Sequence, residues 1–289
     1  MFVSIFFMDN MIELSVIIVN RNVRELLRQC LRSIRSQWPW PDKGLELIVV
    51  DNASSDGSVE SLSIEFPGAQ VIKNIENVGF GRACNQGISR SSGRYLMILK
   101  PDTLIKNGLF QSLIEFMDHM LRAGLAGPKV LNTDGSLQPT FRRFPTYTNI
   151  IFARKSPLSS ILPGNPGSKK YLQKDISLDQ PRRVEALGGV CMILRRKMLE
   201  ETGSFDENIF MYLEDTDLCY RAHLKGWESW VVPQAELIHY WGKSTEQEKK
   251  KMAEEHRRSL YYYFGKHHAP SVIQKTYLKA GLFIHKLID

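Results

Sequence analysis

The chain has 289 residues, 43% hydrophobic and 24% charged, with 38 Lys and Arg against 31 Asp and Glu, a formal net charge of +7. This balance excludes a disordered chain, collagen, a coiled coil, a disulfide-dense scaffold and a polytopic membrane protein. The length admits one large α/β domain, or one domain with an appendage. The opening MFVSIFFM is apolar, but Asp9 and Asn10 end it and no basic flank precedes it. It is too short to span a bilayer and poorly built as a signal peptide. No other stretch approaches about 18 uncharged apolar residues, so a cytoplasmic protein is expected.

Residues 14–19 (LSVIIV) form a β-branched run, expected as a buried strand. The spacing of Leu26, Leu27, Cys30, Leu31 and Ile34 predicts a helix over 24–37. A second strand follows at 45–50, then a short helix to Phe66 with Ser58 as its expected cap, a third strand at 69–73, a helix over 80–91 and a fourth strand at 94–99. Leu109, Phe110, Leu113, Ile114, Phe116, Met117 and Met120 mark an amphipathic helix over 107–121. Strands and helices alternating with short connections predict a mostly parallel sheet flanked by helices on both faces. Ligands in such sheets sit at the carboxyl ends of the strands. The polar turns there are Asn20-Arg21-Asn22, Asp51-Asn52, the segment from Asn74 to Gly79, and Lys100-Pro101-Asp102.

The 154–181 stretch holds six prolines and glycines with little periodicity and reads as a long loop. Order resumes over 184–194, with helices expected from Arg196 and from Glu214 to Lys225, and strands at 229–232 and 236–239. A charged helix is expected over 244–264 and a basic amphipathic one over 269–288. From His256 onward, Arg257, Arg258, Lys266, Lys275, Lys279 and Lys286 face a single acid, Asp289, and are interleaved with aromatic and aliphatic residues. That pattern suits an anionic lipid surface, and equally a helix packed on the domain or on a second subunit of a homodimer. Basic and aromatic residues coincide only there and no binding motif accompanies them, so nucleic acid is not expected. The cysteines Cys30, Cys84, Cys191 and Cys219 share no CxxC spacing and read as free buried thiols.

Three segments carry candidate chemistry. In VVDNASSDGS, Asp51 at a strand end is placed to accept a hydrogen bond from a pyrimidine N3–H. In NVGFGRACNQG the glycines do not match the dinucleotide fingerprint GxGxxG, but Gly79 admits a ligand close to the backbone at a helix start. In LKPDT, Asp102 is one carboxylate fixed behind a proline, suited to a divalent cation that also holds a diphosphate. Taken singly, each of these is an ordinary turn. Arg142-Arg143 suits phosphate or an exposed loop equally. A nicotinamide-dependent oxidoreductase is disfavoured by the missing fingerprint.

These three are followed in order by LGGVCMILRR, FMYLEDTDLCYRAHLKGW and IHYWGKST. The whole series resembles inverting glycosyltransferases of family 2 with the GT-A fold, and more closely bacterial rhamnosyltransferases of O-antigen and cell-wall polysaccharide synthesis. The resemblance spans residues 14–245. It implies a GT-A domain over 12–243 and a C-terminal helical extension over 244–289. It further implies donor-nucleotide contacts at Asn20, Asp51, Asn77, Gly79 and Asp102, a Mg2+ or Mn2+ held by Asp102 and His239, and Asp215 as catalytic base. The implied donor is dTDP-rhamnose. A UDP-hexose or galactofuranose donor, or a catalytically silent membrane adapter, are the alternatives. The implied acceptor is a saccharide or a polyprenyl-linked saccharide, met at the inner face of the cell membrane. One departure stands out: Lys100 occupies a position where the subfamily carries Asn. Its charge either meets the metal and diphosphate or points away.

Overall fold

The computed structural model describes residues 12–41, 44–147, 171, 173, 177–240, 249–268, 271–274, 276 and 278. The opening apolar run, most of the 154–181 stretch, residues 241–248 and most of the 269–288 tail lie outside the described residues.

Strand β1 (Ile12–Asn20) is the centre of the amino-terminal half. It pairs in parallel with β2 (Gly44–Asn52) on one side and β4 (Tyr95–Leu99) on the other. β3 (Gln70–Asn74) extends the sheet beyond β2, again in parallel. The crossovers run through α1 (Arg24–Gln37), α2 (Ser58–Glu65) and α3 (Phe80–Arg90). The unbroken β-branched run of β1 is explained by burial on both faces. Leu14, Val16 and Ile18 join the core under α1 and α2, whereas Ile17 joins a second core with Phe80, Ala83 and Cys84 of α3. Gly57, at φ 77°, and not Ser58, occupies the cap of α2; the Ser58 hydroxyl bonds Asp56 instead.

After β4 the chain makes β5 (Thr103–Ile105), α4 (Leu109–His119) and β6 (Ala123–Leu131), then a separate ribbon of β7 (Phe141–Arg142) with β9 (Ala186–Leu187). β8 (Arg182–Val184), β10 (Cys191–Arg195), α5 (Arg196–Thr202), α6 (Glu214–Leu224), β11 (Glu228–His239) and α7 (Lys249–His267) follow. The sheet order is β3-β2-β1-β4-β10-β6-β11-β5, with β8 also on β11. The parallel pattern holds from β3 to β4 and for β6 with β11, while β10 runs antiparallel to both neighbours. β6 leaves the sheet at its carboxyl edge. β10 enters from that edge and runs in reverse between β4 and β6.

β6 is not expected from AGLAGPKVL, since Ala, Gly and Pro are poor strand formers. Its place between β10 and β11 decides its conformation. The two strands expected at 229–232 and 236–239 are one strand, interrupted by a register shift between Val232 and Glu236 around Pro233. A third apolar cluster seats Leu213 against Leu260, Tyr263 and Phe264 of α7, with Leu278. Among the described residues no helix is long and apolar enough to cross a membrane. All four cysteines are free and buried, and burial pushes the thiol of Cys30 up to about 12 and that of Cys219 up to about 11.

Candidate active site

The candidate residues gather along the carboxyl edge of the sheet. Asn20 and Asp51 are register partners at the ends of β1 and β2. Asn20 Nδ2 donates to Asp51 Oδ1 at 2.9 Å and to Ser54 Oγ at 3.1 Å, and Ser54 N–H donates to Asp51 Oδ2 at 3.0 Å. The turn that brings Ser54 back requires Ala53 at φ 63°. Asp51 is thus a fully buried carboxylate fixed from two sides.

Asn52, which the sequence offers only as part of the polar turn after the second strand, organises the next loop. Its Nδ2 donates to Asn77 Oδ1 at 2.7 Å, and its Oδ1 accepts from Val78 N–H at 3.0 Å. Asn77 Oδ1 also accepts from Gly79 N–H at 3.1 Å. Gly79 sits at φ 90°, and a Cβ there would lie 2.5 Å from the Phe210 carbonyl oxygen. Only glycine allows this approach, which lets Phe80 N–H, opening α3, donate to the same oxygen at 2.9 Å. Asn77 and Gly79 therefore shape a loop that adjoins the chain leading to Asp215.

The strand ladder sets the next pair. Thr103 of β5 is the register partner of His239 of β11, and Tyr240 N–H donates to the Asp102 carbonyl at 2.9 Å. This brings His239 Nε2 to 3.2 Å from Asp102 Oδ1, with both side chains buried. On the other side of the ring, His239 Nδ1 lies 2.6 Å from Gln138 Oε1. Gln138 Nε2 is committed to Asn132 Oδ1 at 2.7 Å, so Oε1 is the acceptor and Nδ1 carries the proton. Nε2 is thereby turned to Asp102. Two ligands about 2.1 Å from a cation and at right angles are about 3.0 Å apart, so this pair fits two positions of an octahedral site. Among the described residues no group of three or more His, Cys, Asp or Glu forms a candidate site. Diphosphate oxygens and water would complete the shell. Burial opposes the charge on Asp102, but the adjacent His239 ring and the nearby Lys100 ammonium outweigh it and hold the carboxyl below its usual range. The Lys100 charge also favours the ionised form of Glu214, a smaller effect than burial.

Asp215 is the second residue of α6, where the helix dipole favours a carboxylate. Arg142 of β7 reaches it through one nitrogen, Nη2 lying 2.8 and 2.9 Å from the two oxygens, while its Nε donates to Thr216 Oγ at 3.2 Å. Gly189 N–H donates to Oδ2 at 2.9 Å, and Thr216 N–H and Oγ–H donate to Oδ1 at 2.6 and 3.0 Å. These donors fill the lone pairs of both oxygens. An incoming hydroxyl can hydrogen-bond the carboxylate only when one of them withdraws. Arg142, expected at a phosphate or in a loop, is instead the partner of the candidate base. Adjacent Glu214 differs: burial first, and then the Asp215 charge, push its carboxyl up to about 8. It is therefore mostly neutral at pH 7 and does not repel Asp215. Asp217 points away, into a cluster with Arg221, Lys266 and His267.

The model of the family described as glycosyl transferase family 2 matches residues 15–203. The chain belongs to glycosyltransferase family 2. This family 2 glycosyltransferase is 29% identical over 218 residues to the N-acetylglucosaminyl-diphospho-decaprenol L-rhamnosyltransferase of Mycobacterium tuberculosis, covering 72% of this chain and 70% of that one. It is 24% identical over 233 residues to rhamnosyltransferase WbbL of Escherichia coli K12, covering 78% of this chain and 82% of that one. Among solved structures, GalNAc-T7 with UDP, GalNAc and Mn2+ superposes with a TM-score of 0.61 at 14% identity, over 94% of this chain. The chain spans about half, 55%, of that protein's length. The likeness supports the GT-A fold expected from the motifs.

Proposed function

We propose that this glycosyltransferase is an inverting enzyme that moves rhamnose from dTDP-rhamnose to a hydroxyl of a polyprenyl-diphosphate-linked saccharide. The observation that carries the proposal is the union, at one sheet edge, of the Asp102–His239 pair with a carboxylate held by Gly189 and Arg142. The sugar and the acceptor are inferred from the names of the mycobacterial and E. coli relatives, which match most of the chain. Residues 12–243 then form the catalytic domain and 244–289 its extension, with the basic tail facing the anionic inner surface of the membrane.

Each residue has a definable task. Asp51, fixed by Asn20 and Ser54, reads the pyrimidine, and Asn77 and Gly79 line the nucleotide. Asp102 and His239 hold Mg2+ or Mn2+, which when bound would stabilise the departing diphosphate. Lys100 adds a fixed positive charge beside it. The acceptor oxygen attacks the anomeric carbon in line while its proton passes to an Asp215 oxygen that Arg142 has released. The bond from the anomeric carbon to the diphosphate oxygen breaks, and its electron pair leaves with dTDP. A single displacement inverts the anomeric configuration.

The test is dTDP release from dTDP-rhamnose against a panel of UDP-sugars, with Mn2+, Mg2+ or chelator, and with anomeric configuration of the product read by NMR. Release from dTDP-rhamnose alone, an inverted product and a kcat about 10³-fold lower in Asp215→Asn are expected. Turnover from UDP-sugars instead would replace the donor, and a retained configuration would remove the base role of Asp215.

A further inference from the structure

The turn entering the candidate base is strained. Tyr212 and Leu213 stand consecutively at φ 65° and 67°, a left-handed conformation that side-chain-bearing residues resist. Glu214 and Asp215 follow immediately, and the Leu213 carbonyl accepts from Asp217 N–H at 2.7 Å to open α6. A strained turn persists only where its surroundings hold it.

The holding groups come from α7, which lies beyond the residues matched by the family model. The Lys251 ammonium stands 5.9 Å over the Phe210 ring. Ser259 Oγ–H donates to the Met211 carbonyl at 2.8 Å. The His256 and Tyr212 rings meet edge-on at 5.5 Å. Leu213 is buried among Leu260, Tyr263 and Phe264. On the far side of Asp215, Lys266 Nζ and His267 Nε2 each lie 2.7 Å from Asp217 Oδ1. One helix thus grips successive residues before Asp215 and the buried carboxylate one position past Thr216.

We propose that α7 is a clamp that holds the 210–217 turn in its catalytic conformation, making Ser259, Lys266 and Leu213 positioning residues for the transfer. This rests on Asp215 as the base. The left-handed turn sets the direction in which α6 starts, and hence where Asp215 meets Gly189 and Arg142. None of these α7 residues bonds Asn20, Asp51 or Asn77 among the described residues, and the turn meets the donor loop at the Phe210 carbonyl, which neither Ser259 nor Lys266 bonds.

The test loosens the clamp in the full chain with Ser259→Ala plus Lys266→Met. Hydrogen exchange across 210–219 is expected to rise about tenfold, with strands β1, β2 and β4 unchanged. kcat is expected to fall about tenfold while the dTDP dissociation constant stays within about twofold. Lys266→Arg alone, which keeps a cation beside Asp217, stays near wild type. Unchanged exchange at 210–219, or exchange rising across the whole sheet with dTDP binding lost in parallel, would overturn the proposal. Failure of the base assignment is seen separately, as activity retained in Asp215→Asn while the exchange result stands.

Discussion

The two halves of the site are built from different materials. Around Asn20, Asp51, Asn52 and Asn77, one carboxylate is held by amides, a serine and backbone groups, and the bonds link residues just after β1, β2 and β3. Around Asp102, Asp215 and His239 the groups are ionic and come from distant segments: Arg142 bonds a residue 73 positions away, and His239 bonds one 101 positions away. Under the proposed function the first half would meet the base and sugar, and the second the departing diphosphate and the proton; low dielectric in the second magnifies every unpaired group.

The sharpest way to break this contrast is to unpair the ionic half. Arg142→Met leaves Asp215, 6% exposed, with its charge and without its cation. We expect a loss of about 3 kcal/mol in urea unfolding, much of it recovered on adding Asp215→Asn. An additive double variant would show the pair to be uncoupled. In the same half, Gln138→Leu removes the acceptor that orients His239. Mn2+ affinity, read by electron paramagnetic resonance, should fall about 10- to 100-fold, with metal-free dTDP binding unchanged.

The neutral half should respond more mildly. Asn52→Ala leaves Val78 N–H without its acceptor and loosens the 74–79 loop. A stability loss of about 1–2 kcal/mol is expected, with a higher donor KM and an unchanged kcat. The smallest effect sharpens the electrostatics. The Glu214 carboxyl titrates near 4.5 when unfolded and near 8 when folded, so folding favours its protonated form. Its contribution is intact below pH 4.5 and is lost as pH rises to about 8. Wild type should therefore lose thermal stability relative to Glu214→Gln across that window. Parallel curves would mean Glu214 is ionised throughout.

The same contrast explains what could be read from the sequence. β1, β2, α1, α3 and α4 announce themselves by apolar periodicity, and the polar turns at the ends of β1, β2 and β3 by the strands that precede them. β6 has no such signal, because its Ala, Gly and Pro are made a strand only by the neighbours it joins. Arg142 and Gln138 lie in a polar segment whose side chains take their meaning from Asp215 and His239, far away in sequence. Asn52 was hidden by its neighbour Asp51, the more obvious chemical group. The Tyr212–Leu213 turn carries no glycine to advertise its backbone, and the helix that stabilises it begins more than thirty residues later.

The buried thiols have a practical corollary. With Cys30, Cys84, Cys191 and Cys219 all enclosed and free, the wild-type chain offers almost no background to a thiol-reactive dye. A cysteine introduced at Leu224, 64% exposed at the end of α6, would take up a single fluorophore without first stripping the native ones. The surroundings of α6 during turnover then become something that can be watched by spectroscopy in otherwise native protein.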